Sequence, residues 1–166
     1  MDKITEMRTK EIRIFVYEYN TVSELPEKDQ KLVLAAREAA KSAYAPYSKF
    51  FVGAALELDN GRIIKGNNQE NAAFPTGLCA ERVALFYANA TYPDTAVKTV
   101  AVTAASHKGI VAGPVRPCGS CRQALAEAEV RFNQPVKIIL DGMEKIQVFE
   151  GIESLLPFAF KPESLD

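Results

Sequence analysis

All three cysteines of the chain lie in the stretches Cys79-Ala80-Glu81-Arg82 and Pro117-Cys118-Gly119-Ser120-Cys121. A Cys-x-x-Cys motif alone is also compatible with redox chemistry or with two small buried residues. Together, the two stretches supply three soft ligands and one carboxyl group that need not bind the metal, which is what a catalytic zinc site requires. A structural four-cysteine site is disfavoured because the chain has no fourth cysteine. Three protein ligands leave the fourth tetrahedral position to water, whose pKa zinc lowers toward neutrality.

Each of these stretches runs into a predicted helix, because Ala80–Ala90 and Gly119–Val130 are rich in helix-forming residues. A helix N-terminus carries partial positive charge and free amides, and both favour the thiolate that zinc needs. The two cysteines of the second stretch are three residues apart and face the same side of the first turn. Side chains lean toward the helix N-terminus, so Cys79 and Glu81 can both reach a pocket beyond the helix end.

Two further side chains bear on this site. Zinc with three thiolates has a net charge of −1, and Arg82 is predicted to draw charge from the sulfurs through hydrogen bonds. The single histidine, His107, could complete a site of three cysteines and one histidine. It lies in a loop eleven residues before Cys118, and we favour a solvated loop residue.

Length and composition favour a single cytoplasmic domain. The chain has 166 residues, of which 48% are hydrophobic and 25% are charged, as in ordinary globular proteins. The net charge of −1 gives no reason to expect a nucleic-acid partner. No apolar run approaches the roughly 20 residues of a membrane span. The N-terminus has no apolar signal core, so we expect the reducing cytoplasm and metal-binding thiols.

Hydrophobic periodicity predicts strands that alternate with helices, which favours a three-layer α/β/α domain with a mixed sheet of about five strands and an extra N-terminal strand. We assign residues 1–25 to an N-terminal extension, whose first ten residues form a polar lead-in, and residues 26–166 to one domain. The predicted strands are Glu11–Tyr19, Phe50–Leu58, Arg62–Gly66, Val97–Ala104, Val136–Leu140 and Ile146–Phe149. A tight turn is predicted at Asp59-Asn60-Gly61, and residues 105–116 are predicted to form a loop. Two further helices are predicted, one that starts within Ser23–Pro26 and runs to Ala43 and one at Ile152–Leu156.

These residues resemble the cytidine deaminase family in its small, homotetrameric, three-cysteine form. The resemblance runs from about Leu32 to Leu165, and several independent motifs occur in the family's order. Besides the cysteine stretches, its landmarks are Tyr47-Ser48-Lys49-Phe50-Phe51-Val52-Gly53-Ala54-Ala55-Leu56, Asn68-Gln69-Glu70-Asn71-Ala72-Ala73 and Leu155-Leu156-Pro157-Phe158-Ala159-Phe160.

The resemblance implies hydrolytic deamination of cytidine and 2′-deoxycytidine to uridine and 2′-deoxyuridine, with release of ammonia, in pyrimidine salvage. It implies one zinc ion per subunit, with Cys79, Cys118 and Cys121 as ligands. Glu81 would take a proton from the attacking water, protonate N3 of the ring and later pass a proton to the departing ammonia. The implied assembly is a cytoplasmic homotetramer that has neither nucleic-acid nor membrane partners.

The resemblance also implies a substrate site. Asn68 and Glu70 would hold the ribose 3′-hydroxyl, Phe50 would flank the base, and the Ala80 backbone N–H would contact the ring carbonyl. Asparagine and glutamate two residues apart in an extended loop point to one side and can bind a diol. Taken without the resemblance, the residues favour a solvated polar loop for the first pair and a core position for Phe50.

In the implied tetramer, Phe74 and Phe160 would reach the active site of a neighbouring subunit. Phe74 stands where the family more often has tyrosine, so a hydroxyl contact made there is absent. Residues 1 to about 25 extend beyond the family's usual start, and they would add a strand to the sheet edge or cover an oligomer surface.

Other functions remain open. The nearest alternative is a deaminase of another cytosine-bearing compound, such as blasticidin S. Nucleotide and nucleic-acid deaminases are less favoured, because no cluster of lysine and arginine near the ribose loop offers a phosphate clamp. A non-catalytic zinc-stabilised module is the alternative from a different class, and it predicts that Glu81→Gln changes no reaction.

Overall fold

The computed structural model describes residues 8–165, so the first seven residues of the predicted polar lead-in lie outside the described residues. Within that range, three α-helices flank one sheet of seven strands. The elements in chain order are β1 (Tyr17–Tyr19), α1 (Glu27–Ala40), β2 (Phe51–Leu58), β3 (Ile63–Asn67), α2 (Ala80–Thr91), β4 (Val97–Ser106), β5 (Gly109–Ile110), α3 (Gly119–Phe132), β6 (Lys137–Leu140) and β7 (Ile146–Glu150).

The sheet is mixed, as the sequence predicts. Its strand order is β1-β7-β6-β4-β2-β3, and β5 forms a short hairpin on the end of β4. The β4–β6 pair is parallel, and the other pairs are antiparallel. A parallel pair needs a crossover connection, and the segment that contains α3 supplies it.

Side-chain alternation along the strands separates two cores, which confirms the three-layer architecture. On one face, α1 packs Leu32, Val33 and Ala36 into a cluster with alternate residues of the sheet. On the other face, α2 and α3 pack against the remaining residues, Leu56 and Leu125 among them. Successive side chains of a strand point to opposite faces, so each strand serves both cores.

Glycine lets α2 approach the sheet closely. A Cβ on Gly66 would lie 2.6 Å from the backbone oxygen of Ala80 and 2.6 Å from the backbone nitrogen of Ala84. Any larger residue would force the first turn of α2 away from β3. Gly66 thus allows the first turn of α2, which carries Glu81, to lie close to β3.

Three predicted elements differ from the structure. The N-terminal strand is Tyr17–Tyr19 rather than Glu11–Tyr19; in the register of the β1–β7 pair Ile14 would face Gly151, so residues 11–14 have no β7 residue to pair with. The predicted loop 105–116 contains the end of β4 and the strand β5, joined by a turn. The predicted helix Ile152–Leu156 is a single 3-10 turn at Ile152–Ser154, since Pro157 follows closely.

Candidate metal centre and active site

The three cysteine sulfurs lie together where two helices begin. Cys79 and Cys118 are the N-cap residues of α2 and α3, and Cys121 is in the first turn of α3. The Sγ atoms of Cys79 and Cys118 are 3.7 Å apart, and those of Cys118 and Cys121 are 3.5 Å apart. All three Sγ atoms lie within 4.8 Å of one another. Sulfurs bonded to one tetrahedral zinc at 2.3 Å would be about 3.8 Å apart, so this donor set fits zinc.

The sulfur cluster already favours a thiolate. A hydrogen bond from the Cys121 thiol, together with contacts from Arg82 and Cys118, lowers the pKa of Cys79 to about 5. The same hydrogen bond, with burial, raises the pKa of Cys121. Arg82 Nη2 lies 3.9 Å from Cys79 Sγ, and its pKa is raised chiefly by that contact. Arg82 is therefore placed to offset negative charge on sulfur, the arrangement predicted from its position in the sequence.

Glu81 is a buried carboxyl beside the sulfurs. Only 5% of it is exposed, and it forms no salt bridge within residues 8–165. Burial is the main cause that raises its pKa. A carboxyl group with a raised pKa can both take up and release a proton near neutral pH. Its surroundings therefore suit an acid/base role.

A cavity of about 660 Å³ opens in front of the cluster and brings most of the predicted site residues together. Its size is within the range of small-molecule sites. Ala80, Arg82, Cys121 and Phe160 do not line it. Ala80 is buried at the first position of α2, where backbone N–H groups have no acceptor within the helix. The predicted residues that line the cavity are Phe50, Asn68, Glu70, Phe74, Cys79, Glu81 and Cys118.

Asn68 and Glu70 each use part of their hydrogen-bonding capacity to hold the cavity wall. Asn68 Oδ1 accepts from the Val52 amide at 2.7 Å, and Asn68 Nδ2 donates to the Phe50 carbonyl at 3.0 Å. Glu70 Oε2 accepts from the amides of Tyr47 and Ser48 at 2.9 and 3.2 Å. A side-chain amide and a carboxylate can make further bonds, so both residues retain capacity for a substrate hydroxyl.

The two predicted inter-subunit aromatics are both exposed. Phe74 is 74% exposed, and its ring packs edge-to-face on Tyr47 with centroids 5.8 Å apart. Phe160 is 59% exposed and lies outside the cavity of its own chain. The Gln123 side chain pairs with both backbone groups of Phe160, at 2.7 and 3.1 Å, and so fastens the C-terminal tail to α3.

His107 lies away from the sulfurs. It is exposed in the turn between β4 and β5, and the metal-binding cluster found among residues 8–165 consists of the three cysteines alone. Sequence reasoning did not assign site roles to several cavity residues, Val102, Val115 and Arg116 among them. Val102 resembles any other core residue of a buried strand, and the other two lie in a loop whose path no local pattern predicts.

Comparison with known proteins agrees with this geometry. Residues 26–133 match the family model described as the cytidine and deoxycytidylate deaminase zinc-binding region. A cytidine deaminase of Sporosarcina psychrophila is 39% identical over 136 residues, which cover 82% of this chain and 93% of the relative. The chain belongs to the cytidine deaminase family. A second relative of this family, from Halalkalibacterium halodurans, is 38% identical over 137 residues, which cover 82% of this chain and 97% of that protein.

A solved structure shares the cytidine deaminase fold. The cytidine deaminase of Burkholderia pseudomallei superimposes with a TM-score of 0.67 at 38% identity, and the match covers 78% of this chain and 97% of that one. The chain is therefore a deaminating enzyme, and its three-cysteine cluster is compatible with one zinc ion per subunit. Within residues 8–165, the structure contains no helix long and apolar enough to cross a membrane.

Proposed function

We propose that the protein hydrolyses cytidine and 2′-deoxycytidine to uridine and 2′-deoxyuridine, with release of ammonia, in cytoplasmic pyrimidine salvage. The observation that carries this proposal is the cluster of three sulfurs beside a buried carboxyl that faces the same cavity. Residues 26–166 would form the single catalytic domain, and residues 1–25 an extension of it.

Cys79, Cys118 and Cys121 would hold one zinc ion. When bound there, zinc supplies a water whose pKa is brought toward neutrality. Arg82 would moderate the negative charge of the sulfurs, as its contact with Cys79 suggests. With three sulfurs as ligands, the carboxyl of Glu81 is left to handle protons.

Glu81 would move the protons of the reaction. It accepts a proton from the attacking water and gives it to N3 of the cytosine ring while the new C4–O bond forms. It then takes the proton of the new C4 hydroxyl and passes it to the C4 amino group, so that the C4–N bond breaks, ammonia leaves, and the C4 oxygen becomes a carbonyl. Exclusion of water from this buried carboxyl raises its pKa and keeps it able to exchange protons at working pH.

The cavity in front of the sulfurs would hold the nucleoside. Phe50 would flank the base, and the Ala80 N–H would donate to the ring carbonyl. Asn68 and Glu70 would bind the ribose 3′-hydroxyl with the hydrogen-bonding capacity that their backbone contacts leave over. The cavity is otherwise mainly apolar, which suits a small neutral ligand.

The assembly would be a homotetramer in which aromatic residues complete neighbouring active sites. Phe74 and Phe160 are largely exposed, and neither has a buried role within its own chain. An exposed phenylalanine at the cavity rim and another on a fastened tail are suited to a contact between subunits.

The test follows absorbance changes with cytidine, 2′-deoxycytidine, cytidine 5′-monophosphate and blasticidin S, together with zinc quantification. We expect turnover of the first two substrates and one zinc per chain. Cys118→Ser should lose both zinc and turnover, whereas Ser120→Ala, a neighbouring exposed change in the same turn, should retain them. Folded, zinc-free protein that still deaminates cytidine would refute the proposal, and turnover of blasticidin S alone would assign the other substrate.

A further inference from the structure

Arg116 places one positive charge on the wall of the active-site cavity. Of the residues that line the cavity within the described chain, the charged ones are Glu70, Glu81 and Arg116, and Arg116 is the one cation. It lies two residues before Cys118, in the loop that leads into α3. Cytidine is neutral, so the proposed substrate gives this charge no partner.

The charge of Arg116 is not neutralised by an ion pair. Its Nη2 donates to the side-chain oxygen of Gln147 at 2.9 Å, and this amide is neutral. No salt bridge involves Arg116 in the part of the chain that the structure describes. The guanidinium group has five N–H donors, so one bond to Gln147 leaves donors for a second acceptor.

A chain of hydrogen bonds connects this arginine to the N-terminal strand. Gln147 Nε2 donates to Glu18 Oε1 at 2.8 Å, and Lys145 Nζ lies 3.1 Å from Glu18 Oε2. Glu18 and Gln147 are direct partners in the β1–β7 pair. Hydrogen bonds from Gln147 and Lys145 are the main causes that lower the pKa of Glu18, and the charge of Arg116 is the smallest, so Glu18 orients Gln147 without forming an ion pair with Arg116. The strand β1 precedes the family-model match, which begins at residue 26.

Arg116 and the proposed ribose residues are attached to different parts of the sheet. Asn68 and Glu70 follow β3 at one edge of the sheet, whereas Arg116 is bonded to β7, near the other edge. The strands β6, β4 and β2 lie between them. A group that meets Arg116 would therefore project from the nucleoside away from the 2′ and 3′ hydroxyls, from the 5′ carbon or from ring C5.

We propose that Arg116 is a specificity-determining residue that binds an anionic group, a phosphomonoester or a carboxylate, on a cytosine nucleoside, and that Glu18 and Gln147 position it. The inference rests on the proposed function, because it concerns the same cavity. Planar guanidinium groups match the oxygens of phosphates and carboxylates, which is the chemistry that arginine recognises best. The enzyme would then discriminate among cytosine nucleosides by charge as well as by shape.

The test measures binding of reaction products, so that it does not depend on turnover. Isothermal titration at low ionic strength compares uridine with uridine 5′-monophosphate and with 5-carboxyuridine, which separates the two positions of the anionic group. We expect the zinc-loaded wild type to bind one of the two anionic products roughly tenfold more tightly than uridine, the lower range for charge-assisted hydrogen bonds. Arg116→Gln should abolish that preference and leave uridine binding unchanged, and Arg116→Lys should restore part of it.

The positioning residues Glu18 and Gln147 are tested through the ratio of the dissociation constant of uridine to that of the anionic product. Gln147→Glu keeps the shape of the side chain but pairs with Arg116, so it should remove the anion preference although the arginine remains. Glu18→Gln should lower the preference by a smaller factor, with an unchanged uridine affinity. If either substitution only changed the unfolding temperature and left the ratio intact, its role would be structural and the positioning claim would be wrong.

The two proposals can fail separately. Normal cytidine turnover with no Arg116-dependent preference for either anionic product would overturn the specificity inference alone. An Arg116-dependent preference in a protein that does not deaminate cytidine would support the inference on substrate charge and overturn the assignment of cytidine as substrate. A preference that survives Arg116→Gln would assign the anion to another group and would also overturn the inference.

Discussion

Asp141 and Glu81 are two buried carboxylates with opposite surroundings. Asp141 is fully buried and accepts two hydrogen bonds from Arg37, at 2.7 and 2.8 Å, and one from Thr103 at 2.8 Å. Glu81 is also buried, yet within residues 8–165 it has no salt bridge, and it faces the cavity. A buried carboxyl group without an ion-pair partner destabilises the fold when it is charged, so a fold keeps one for a reason other than stability. Asp141 therefore serves the fold, whereas the surroundings of Glu81 suit the proposed chemistry.

Arg37 and Arg82, the two arginines near these carboxylates, differ in the same way as the carboxylates do. Arg37 of α1 joins its helix to the end of β6 through both carboxylate oxygens of Asp141, which raises the pKa of the arginine. Arg82 is next to Glu81 in the sequence, yet it contacts Cys79 instead. Burial raises the pKa of Glu81, and the charge of Arg82 lowers it only in small part, so the carboxyl keeps a raised pKa.

The largest effect is expected for Glu81→Gln. The amide cannot accept and release a proton, so turnover of cytidine should fall by about 10²–10⁴-fold, the usual contribution of general acid/base catalysis. Zinc content should stay at one per chain, and the unfolding temperature should stay equal or rise, because a buried acid is removed. Absorbance assays, zinc quantification and thermal unfolding measure the three quantities. Glu127→Gln, on the exposed face of α3, is the matched control. Turnover within tenfold of wild type would contradict the division of roles.

Asp141→Asn should lower the stability and leave the activity nearly unchanged, the reverse of the effects expected for Glu81→Gln. It leaves the Arg37 guanidinium without its buried countercharge and should lower the free energy of unfolding by about 3 kcal/mol. The specific activity of the folded protein should stay within roughly threefold of wild type, because Asp141 does not line the cavity. Urea unfolding and cytidine turnover measure both quantities.

A double variant sharpens this prediction. Arg37→Met combined with Asp141→Leu removes both charges, and we expect it to be less destabilised than Asp141→Asn alone, since apolar pairs often replace buried ion pairs at little cost. Thr103→Val removes one hydrogen bond and should cost about 1 kcal/mol. If the double variant were the least stable of the three, the ion pair itself would contribute most of the stability.

The position of Glu81 beside Cys79 at a helix start could be predicted from the sequence, whereas the role of Asp141 could not. Cys79 and Glu81 are close in the chain, and a helix start fixes their relation locally. Arg37 and Asp141 are 104 residues apart and meet only after the sheet has formed. In the sequence, Asp141 resembles a turn residue before a glycine.

The same reasoning explains which parts of the fold were predicted well. Strands and helices with strong periodicity, such as α2 and α3, agree with the structure to within one or two residues at each end. The N-terminal strand was predicted too long, because alternation reports a tendency to be extended and not the presence of a partner strand. Ile12, Ile14 and Val16 continue the alternating pattern, yet all three are exposed, and the first two would lie beyond the end of β7.

A smaller effect is expected for Arg82→Gln, which tests the second arginine. Loss of a group that contacts a metal ligand typically weakens metal binding by about 10–100-fold. We therefore expect zinc to be lost to a competing chelator at a concentration lower by that factor. The free energy of unfolding of the zinc-free protein should change little, because Arg82 Nε is already buried without a hydrogen-bond partner among the described residues. Unchanged zinc affinity would show that the contact with Cys79 has no role in holding the metal.

The smallest effect is expected for Glu70, a carboxylate whose surroundings are intermediate between those of Asp141 and Glu81. Hydrogen bonds from Ser48, and also from the Tyr47 amide, lower its pKa from the ordinary 4.5. Because the pKa of Glu70 is lowered, the contribution of its carboxylate to uridine binding is fully present above pH 4.5 and is lost only as the pH falls through the lowered value.

Glu70→Gln should raise the uridine dissociation constant by roughly tenfold, through loss of a charge-assisted hydrogen bond to a hydroxyl. The ratio of variant to wild type should stay constant from pH 8 down to pH 5. With an ordinary pKa, a quarter or so of the carboxylate would already be protonated at pH 5. A ratio that begins to narrow above pH 5 would show that the hydrogen bonds from Ser48 and from the Tyr47 amide do not hold Glu70 in its charged form.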